Sequence, residues 1–286
     1  MGSTSTFANL RRRFAPMIRP ILEHVAPLRI VAVAMLKIKQ KGRFQRCGFQ
    51  FELPSGDFGV TLEAESTGEY EPVTTQMVES MLEEGMTFID IGAHVGLFTL
   101  PAKKWVGKSG RVVAFEPHPD NFAMLTRNAN ENNLTAELVN AAVSDVTGEV
   151  QLHTSTFNSG DHQIYQSSNR KGVEVACVTL DEFLQEGERV DLIKMDVQGA
   201  EAAAFHGMER VLQDNQAIKI IWELSPSQLQ VAGADAASLL AWLEELGFGF
   251  TMIDDVSGDV QGVTAEELMN LCPHDSYMNI LSQRNA

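Results

Sequence analysis

Cysteine is scarce in this 286-residue chain: there are three, Cys47, Cys177 and Cys272, far apart and with no C-x-x-C pair. That spacing excludes a zinc ribbon or a disulfide framework and points to a reducing compartment. No apolar run reaches the ~18 residues of a membrane-spanning helix. The stretch Ile30 to Leu36 is short for a signal core and runs into Lys37, so the N-terminus reads as uncleaved and the protein as cytoplasmic. Bases are also sparse beyond the N-terminus. Residues 1–46 hold ten of the 22 Lys and Arg and one of the 38 acids, a segment charge of +9. The other 12 bases stand against 37 acids, or −25. A body so acidic is repelled by DNA and RNA phosphates, which argues against a nucleic-acid substrate. Internal repeats and low-complexity tracts are absent.

Two more absences mark the most informative stretch, Thr87-Phe88-Ile89-Asp90-Ile91-Gly92-Ala93-His94-Val95-Gly96. No lysine follows the second glycine, so it is not a P-loop, and the third glycine of a dinucleotide fingerprint is missing. What remains is a buried strand, Thr87 to Ile91, a G-x-x-x-G turn and an apolar helix from Leu97. Gly92 and Gly96 are expected to let backbone approach a ligand, and the helix start to offer free N–H groups. Asp90 closes the strand, at the edge where doubly wound sheets bind ligands. Glu116 closes the next apolar strand, 26 positions on. An acid roughly 20 residues past such a turn takes ribose hydroxyls in nucleotide-binding βαβ units. Acidic strand ends without a pyrophosphate cradle suit S-adenosylmethionine. Asp90 then falls near its methionine end and Glu116 at its ribose. Ala93 and His94 complete the turn, with His94 shaping it.

The chain divides into a basic helical arm (1–42), a β-hairpin and helix lead-in (43–84) and a core (85–286). The arm is interrupted by Pro16, Pro20 and Pro27. It is read as packing on the body or on a second subunit in a homo-oligomer; the alternative is a basic amphipathic surface for peripheral contact with acidic membranes. Phe44 to Leu53 and Phe58 to Glu63 read as strands around the turn Pro54-Ser55-Gly56-Asp57, followed by a helix through Met77 to Glu84. From Met86 onward strands alternate with helices, the mark of a parallel sheet with helices on both faces. Seven strands are expected, at Thr87–Ile91, Arg111–Phe115, Ala136–Asn140, Asp191–Met195, Ala217–Trp222, Phe248–Ile253 and Tyr277–Leu281. That order fits an α/β sheet of the class I methyltransferase kind, in which the last strand inserts antiparallel. Helices are expected near 97–105, 120–130, 180–184, 200–213, 235–246 and 265–270. A further strand pair, Glu149–Thr154 and Val173–Val178, flanks a polar loop from Ser155 to Lys171.

The second half carries candidate chemistry. Leu192-Ile193-Lys194-Met195-Asp196-Val197-Gln198-Gly199-Ala200-Glu201 is another strand-to-glycine-to-helix turn. Asp196 ends an apolar strand at the ligand-facing edge, where packing gives no reason for an acid, so it is a candidate base or metal ligand. Gln198 and Glu201 either hold substrate or cap the helix, and for Glu201 the capping reading leads. Glu223 ends the fifth strand and can converge with Asp196 to bind a divalent cation or take a proton from a hydroxyl. A salt bridge with Lys194 or Lys219 is its bland alternative. His162, in a long loop suited to binding or to a lid, is a candidate general base or a helper at a metal site.

The segments Phe88 to Gly96, Ala114-Phe115-Glu116-Pro117-His118-Pro119, Asn140-Ala141-Ala142-Val143-Ser144-Asp145, Thr179-Leu180-Asp181 and Lys194 to Glu201 together resemble the FkbM family of S-adenosylmethionine-dependent methyltransferases. The resemblance covers about residues 85–255. It implies a Rossmann-like class I methyltransferase fold and O-methylation of a sugar, polyketide or other small hydroxylated acceptor. It also implies that Ser144 and Asp145 hold the adenine. Family members commonly have Glu where Gln198 stands, a departure that removes one carboxylate from this turn. A sugar hydroxyl is a poor nucleophile, so the reading requires a base, His162 or Asp196, or a metal held by Asp196 and Glu223; direct base catalysis is favoured. Two other classes stay open. One is an N- or C-directed methyltransferase on a peptide or lipid-linked acceptor at a membrane surface. The other is a non-catalytic cofactor-binding scaffold.

Overall fold

The computed structural model describes residues 26–155, 158–164 and 171–284. The arm expected before residue 26 and the middle of the 155–171 loop lie outside the described residues. The core is an eight-stranded sheet. Four of its strands are short apolar runs: β3 (Thr87–Ile91), β4 (Arg111–Phe115), β9 (Leu192–Met195) and β10 (Lys219–Leu224). Strands of this kind are buried on both faces and pair in parallel, and these four do, together with β5 (Glu137–Val139). Alternate residues feed opposite cores. Ile89, Val113 and Trp222 pack on one side, and Phe88, Val112 and Ile221 on the other.

The sheet continues with β13 (Met278–Arg284), β11 (Phe248–Ile253) and β12 (Val260–Val263), in the order β12-β11-β13-β10-β9-β3-β4-β5. β13 runs antiparallel to both β10 and β11. All seven expected strands are therefore present, with the last one reversed as expected. The edge strand β12 is an addition. The chain runs outward from β3 through β4 to β5, then returns to build β9 and β10 on the other side of β3. That reversal is a topological switch point, and it opens a crevice outside the ends of β3 and β9. The expected strand pair also forms, as β7 (Gly148–Thr154) against β8 (Lys171–Val178), with the two-residue β6 (Ala142–Val143) alongside.

The lead-in differs from expectation. The hairpin lies wholly within 43–52, as β1 (Arg43–Arg46) and β2 (Phe49–Glu52). Its turn is Cys47-Gly48, with φ of 51° and 88°. Positive φ at both central residues makes a tight turn whose twist matches the strands, and cysteine is an unusual occupant. The stretch expected as the second strand instead opens a helix, α2 (Val60–Thr67), after α1 (Ala26–Lys39). There the Asp57 carboxylate accepts the Thr61 N–H at 2.7 Å, fixing the first turn. Helix α3 (Pro72–Met81) starts earlier than expected because Pro72 is preset for a helix start. The helix expected over 200–213 is broken into α7 (Glu201–His206) and α8 (Glu209–Asp214), α4 to α6 being Thr99–Trp105, Pro119–Glu131 and Leu180–Phe183. The break is Gly207: a Cβ there would lie 1.8 Å from the Ser144 carbonyl oxygen, so α7 ends where the chain presses on β6. No described helix is long and apolar enough to cross a membrane.

Candidate active site

A cavity of about 890 Å³ runs along the crevice, near the top of the range for small-molecule sites. Its wall includes Asp90, Gly92, Ala93, His94, Glu116, His162, Asp196 and Glu223. Ser144, Asp145 and Gly96 are not among the lining residues.

At one end, Glu116 closes β4 and is buried. Its two oxygens accept backbone N–H groups, Oε2 from His94 and Oε1 from His118, each at 2.8 Å. Burial nonetheless raises its carboxyl to about 7, against those hydrogen bonds. Asp90, also buried, accepts the Thr99 hydroxyl at 2.6 Å and is raised to about 6, again by burial. His94 adopts φ 51°, which turns its N–H toward Glu116. Burial lowers its ring to about 4, so it is neutral at pH 7. Its Nε2 lies 2.9 Å from Ser159 Oγ, and its buried Nδ1 has no hydrogen-bond partner.

The glycines serve differently from expectation. The N–H groups of Gly92 and Ala93 both donate to the Phe115 carbonyl at 2.9 Å, so these turn amides are already engaged. Gly92, at φ 81°, lets the turn pass close to the end of β9. Gly96, at φ 92°, makes room for Leu100 and Leu125, either of which would lie 2.7 Å from a Cβ. It is a packing glycine. Ser144 and Asp145 are likewise displaced from the expected adenine contact. Ser144 is buried, donates its N–H to Val178 and its hydroxyl to Asp145, while Ala141, Ala142 and Val143 form the wall instead.

The described part of the polar loop closes over this end. Ser159 donates its N–H (2.7 Å) and hydroxyl (3.0 Å) to Asp57, and accepts from Asn121 at 3.0 Å. His162 stacks on His118 with ring centroids 4.2 Å apart, and its Nδ1 accepts the Ser155 N–H at 3.1 Å. That stack puts His162 at the Glu116 end of the cavity.

The other end is built on β9 and β10. Asp196 Oδ2 lies 3.6 Å from the buried ammonium of Lys194, and Glu71 Oε2 lies 4.0 Å from the same group. Burial opposes the charge on Lys194, but Glu71, Asp196, Asp90 and Glu223 together hold it firmly protonated. Its ammonium also sits 4.8 Å from the ring centre of Phe98, a cation–π distance. Burial raises Glu71 to about 7. Burial, followed by the charge of Asp196, pushes Glu223 well above the usual carboxylate range. Gln198 lies between the two acids: its Nε2 donates to Asp196 Oδ1 at 2.7 Å and to Glu223 Oε1 at 3.2 Å. Glu201 is buried and caps the turn, accepting N–H groups from Val197 (3.2 Å) and Gly199 (2.9 Å). Asp196 and Glu223 therefore converge as expected, but on an amide. Among the described residues no three His, Cys, Asp or Glu side chains gather as a metal cluster.

Glu71 does not stand out in the sequence, and Lys194 reads there only as an ion-pair partner. A lysine inside the apolar run Leu192-Ile193-Lys194-Met195 was a legible signal. Glu71 had none, since it reaches the cavity from the start of α3. Of the five described non-glycine residues with positive φ, three (Glu71, His94 and Gln198) line the cavity. Such conformations gather where a site needs a side chain aimed against local preference.

A model for the methyltransferase FkbM domain matches residues 90–250. Hexuronic acid methyltransferase AglP of Haloferax volcanii is 27% identical over 134 residues, 46% of this chain and 53% of that protein. This chain thus spans about half of AglP. Methyltransferase sdnD of Sordaria araneosa is 26% identical over 200 residues, 57% of this chain and 73% of that one. Among solved structures, methyltransferase FkbM from Methylobacillus flagellatus aligns with a TM-score of 0.43 at 15% identity, over 77% of this chain and 52% of that one.

Proposed function

This chain belongs to the FkbM methyltransferase family, and on that premise we propose that it is an S-adenosylmethionine-dependent O-methyltransferase for a small hydroxylated acceptor. The observation that carries the reading is the pairing of two ends in one cavity: Glu116, fixed by two backbone N–H groups, and Asp196, held beside the Lys194 ammonium. The residues present fit the cofactor. Glu116 suits the ribose hydroxyls, Asp90 stands toward the methionine end, and Ala141, Ala142 and Val143 offer an apolar wall for the base. When bound, S-adenosylmethionine supplies an already activated methyl group, so the protein's task is to orient the acceptor and remove its proton.

Asp196 is the residue for that task. The protonated Lys194 ammonium lies 3.6 Å from its Oδ2, and the Gln198 amide holds its Oδ1, so the carboxylate is fixed in the cavity. His162, stacked on His118, serves as part of the cover over the ribose end. Burial and the charge of Asp196 push the Glu223 carboxyl well above the usual carboxylate range, and it stands beside Asp196 where it can hydrogen-bond acceptor oxygen. Water exclusion falls to the Ser159 strap, which ties the loop to Asp57, His94 and Asn121.

The walls bear on the acceptor. Among the described lining residues are ten Asp and Glu, one Lys and no Arg, and the lysine already faces Glu71 and Asp196. AglP is named for a hexuronic acid, an anion at neutral pH. The charge here supports a neutral or amino-bearing hydroxyl acceptor instead. Titration calorimetry tests the cofactor assignment: heat is expected with S-adenosylmethionine and S-adenosylhomocysteine and none with NAD. Silence with the first two would overturn it. Methyl transfer to a panel of neutral sugars, followed by mass spectrometry, tests the acceptor class.

A further inference from the structure

Gln198 is where the acid pair is joined. Its backbone has φ 54°, a conformation L residues seldom take, and Gly199 follows at 101°. The Glu201 carboxylate holds this turn by accepting N–H groups on either side of Gln198. The Gln198 side chain is thereby carried into the cavity. Its orientation is set from behind: Gln228 Nε2 donates to Gln198 Oε1 at 3.2 Å. The carbonyl end is thus satisfied, and the NH₂ end faces the acids. One hydrogen goes to Asp196 Oδ1 at 2.7 Å, the other toward Glu223 Oε1 at 3.2 Å. An amide NH₂ is the only part of a glutamine with two donors, and here they span two carboxyl groups on adjacent strands.

Two carboxyl groups within reach of one amide nitrogen would, when ionised, repel each other or gather a cation between them. We propose that Gln198 is a positioning residue whose amide takes the place of a bridging cation, fixing the spacing of Asp196 and Glu223 so that the pair works without a divalent metal. The catalytic half of this statement rests on the reading of Asp196 as the acceptor's base; the metal half does not.

The test uses the full chain with MnCl₂ as the probe. In calorimetry the wild type should give no Mn²⁺ heat dependent on Asp196, and turnover should survive EDTA unchanged. Gln198→Glu, nearly isosteric, converts the site into three carboxyl groups and should acquire Mn²⁺ binding, which Asp196→Asn in the same chain should abolish. Gln198→Ala should lower kcat tenfold or more, with KM for S-adenosylmethionine within about twofold. The proposal is overturned by Asp196-dependent Mn²⁺ binding in the wild type, by EDTA-sensitive turnover restored by Mn²⁺, by a Gln198→Glu chain that binds no Mn²⁺, or by normal kcat in Gln198→Ala. If no acceptor is methylated by any form, the proposed function fails, and the three calorimetric results still decide the role of Gln198.

Discussion

A Cβ placed on Gly92 would lie 2.0 Å from the backbone carbonyl oxygen of Asp196. The turn at the end of β3 and the acid at the end of β9 are therefore in backbone contact, and the Asp196 N–H donates to the Ile91 carbonyl at 3.0 Å. Gly92→Ala meets both a positive φ and this wall. The left-handed conformation costs about 1–2 kcal/mol, and overpacking typically adds about 1–3 kcal/mol more. Gly68 is a control, having φ 76° with nothing near its would-be Cβ. Thermal melting should fall clearly further for Gly92→Ala than for Gly68→Ala, and turnover should fall only in the first. Equal losses would show that backbone strain alone matters at Gly92.

Asp196→Asn keeps the shape of the site and removes the base. Turnover is expected to fall by roughly 10²–10⁴, the usual worth of general-base catalysis, with cofactor affinity within about twofold of wild type. Near-normal turnover in that variant would remove Asp196 from the chemistry.

Glu116 gives a pH dependence with a definite sign. Its carboxyl is raised to about 7, so it is mostly protonated at pH 6 and mostly ionised at pH 8. An ionised carboxylate accepts the ribose hydroxyls more strongly than a neutral acid. Affinity for S-adenosylhomocysteine should rise about three- to fourfold between those pH values, given about 1 kcal/mol between charged and neutral hydrogen bonds. Glu116→Gln should be weaker at pH 8 and flat across the range. A variant that keeps the wild-type slope would assign the titration to another group.

The acidic walls predict acceptor preference. An uncharged hexopyranoside should have a kcat/KM at least tenfold above that of the matching hexuronate. Added salt should narrow the gap as it screens the walls. A hexuronate turned over as well as its neutral counterpart would contradict the charge argument.

Much of this was legible in the sequence because it depends on period and on strand ends. The runs Phe88-Ile89, Val112-Val113 and Ile220-Ile221 announced strands buried on two faces, and Asp90, Glu116, Asp196 and Glu223 stood out as acids closing apolar runs. What was illegible depends on long-range backbone approach. Nothing local says that Gly207 must yield to Ser144, which takes Ser144 from the cavity and splits a helix, or that Gly96 serves Leu125 instead of a ligand. The Cys47-Gly48 turn was hidden because cysteine rarely takes a positive φ. Glu71 was hidden because it arrives from an element outside the alternating pattern.

The most direct measurement is a crystal structure of the complex with S-adenosylhomocysteine. Both ribose hydroxyls are expected on the Glu116 carboxylate, the adenine against Ala141, Ala142 and Val143, and the sulfur turned toward the space in front of Asp196 and Gln198. A ribose held away from Glu116, or a sulfur facing a wall that lacks Asp196, would contradict this arrangement.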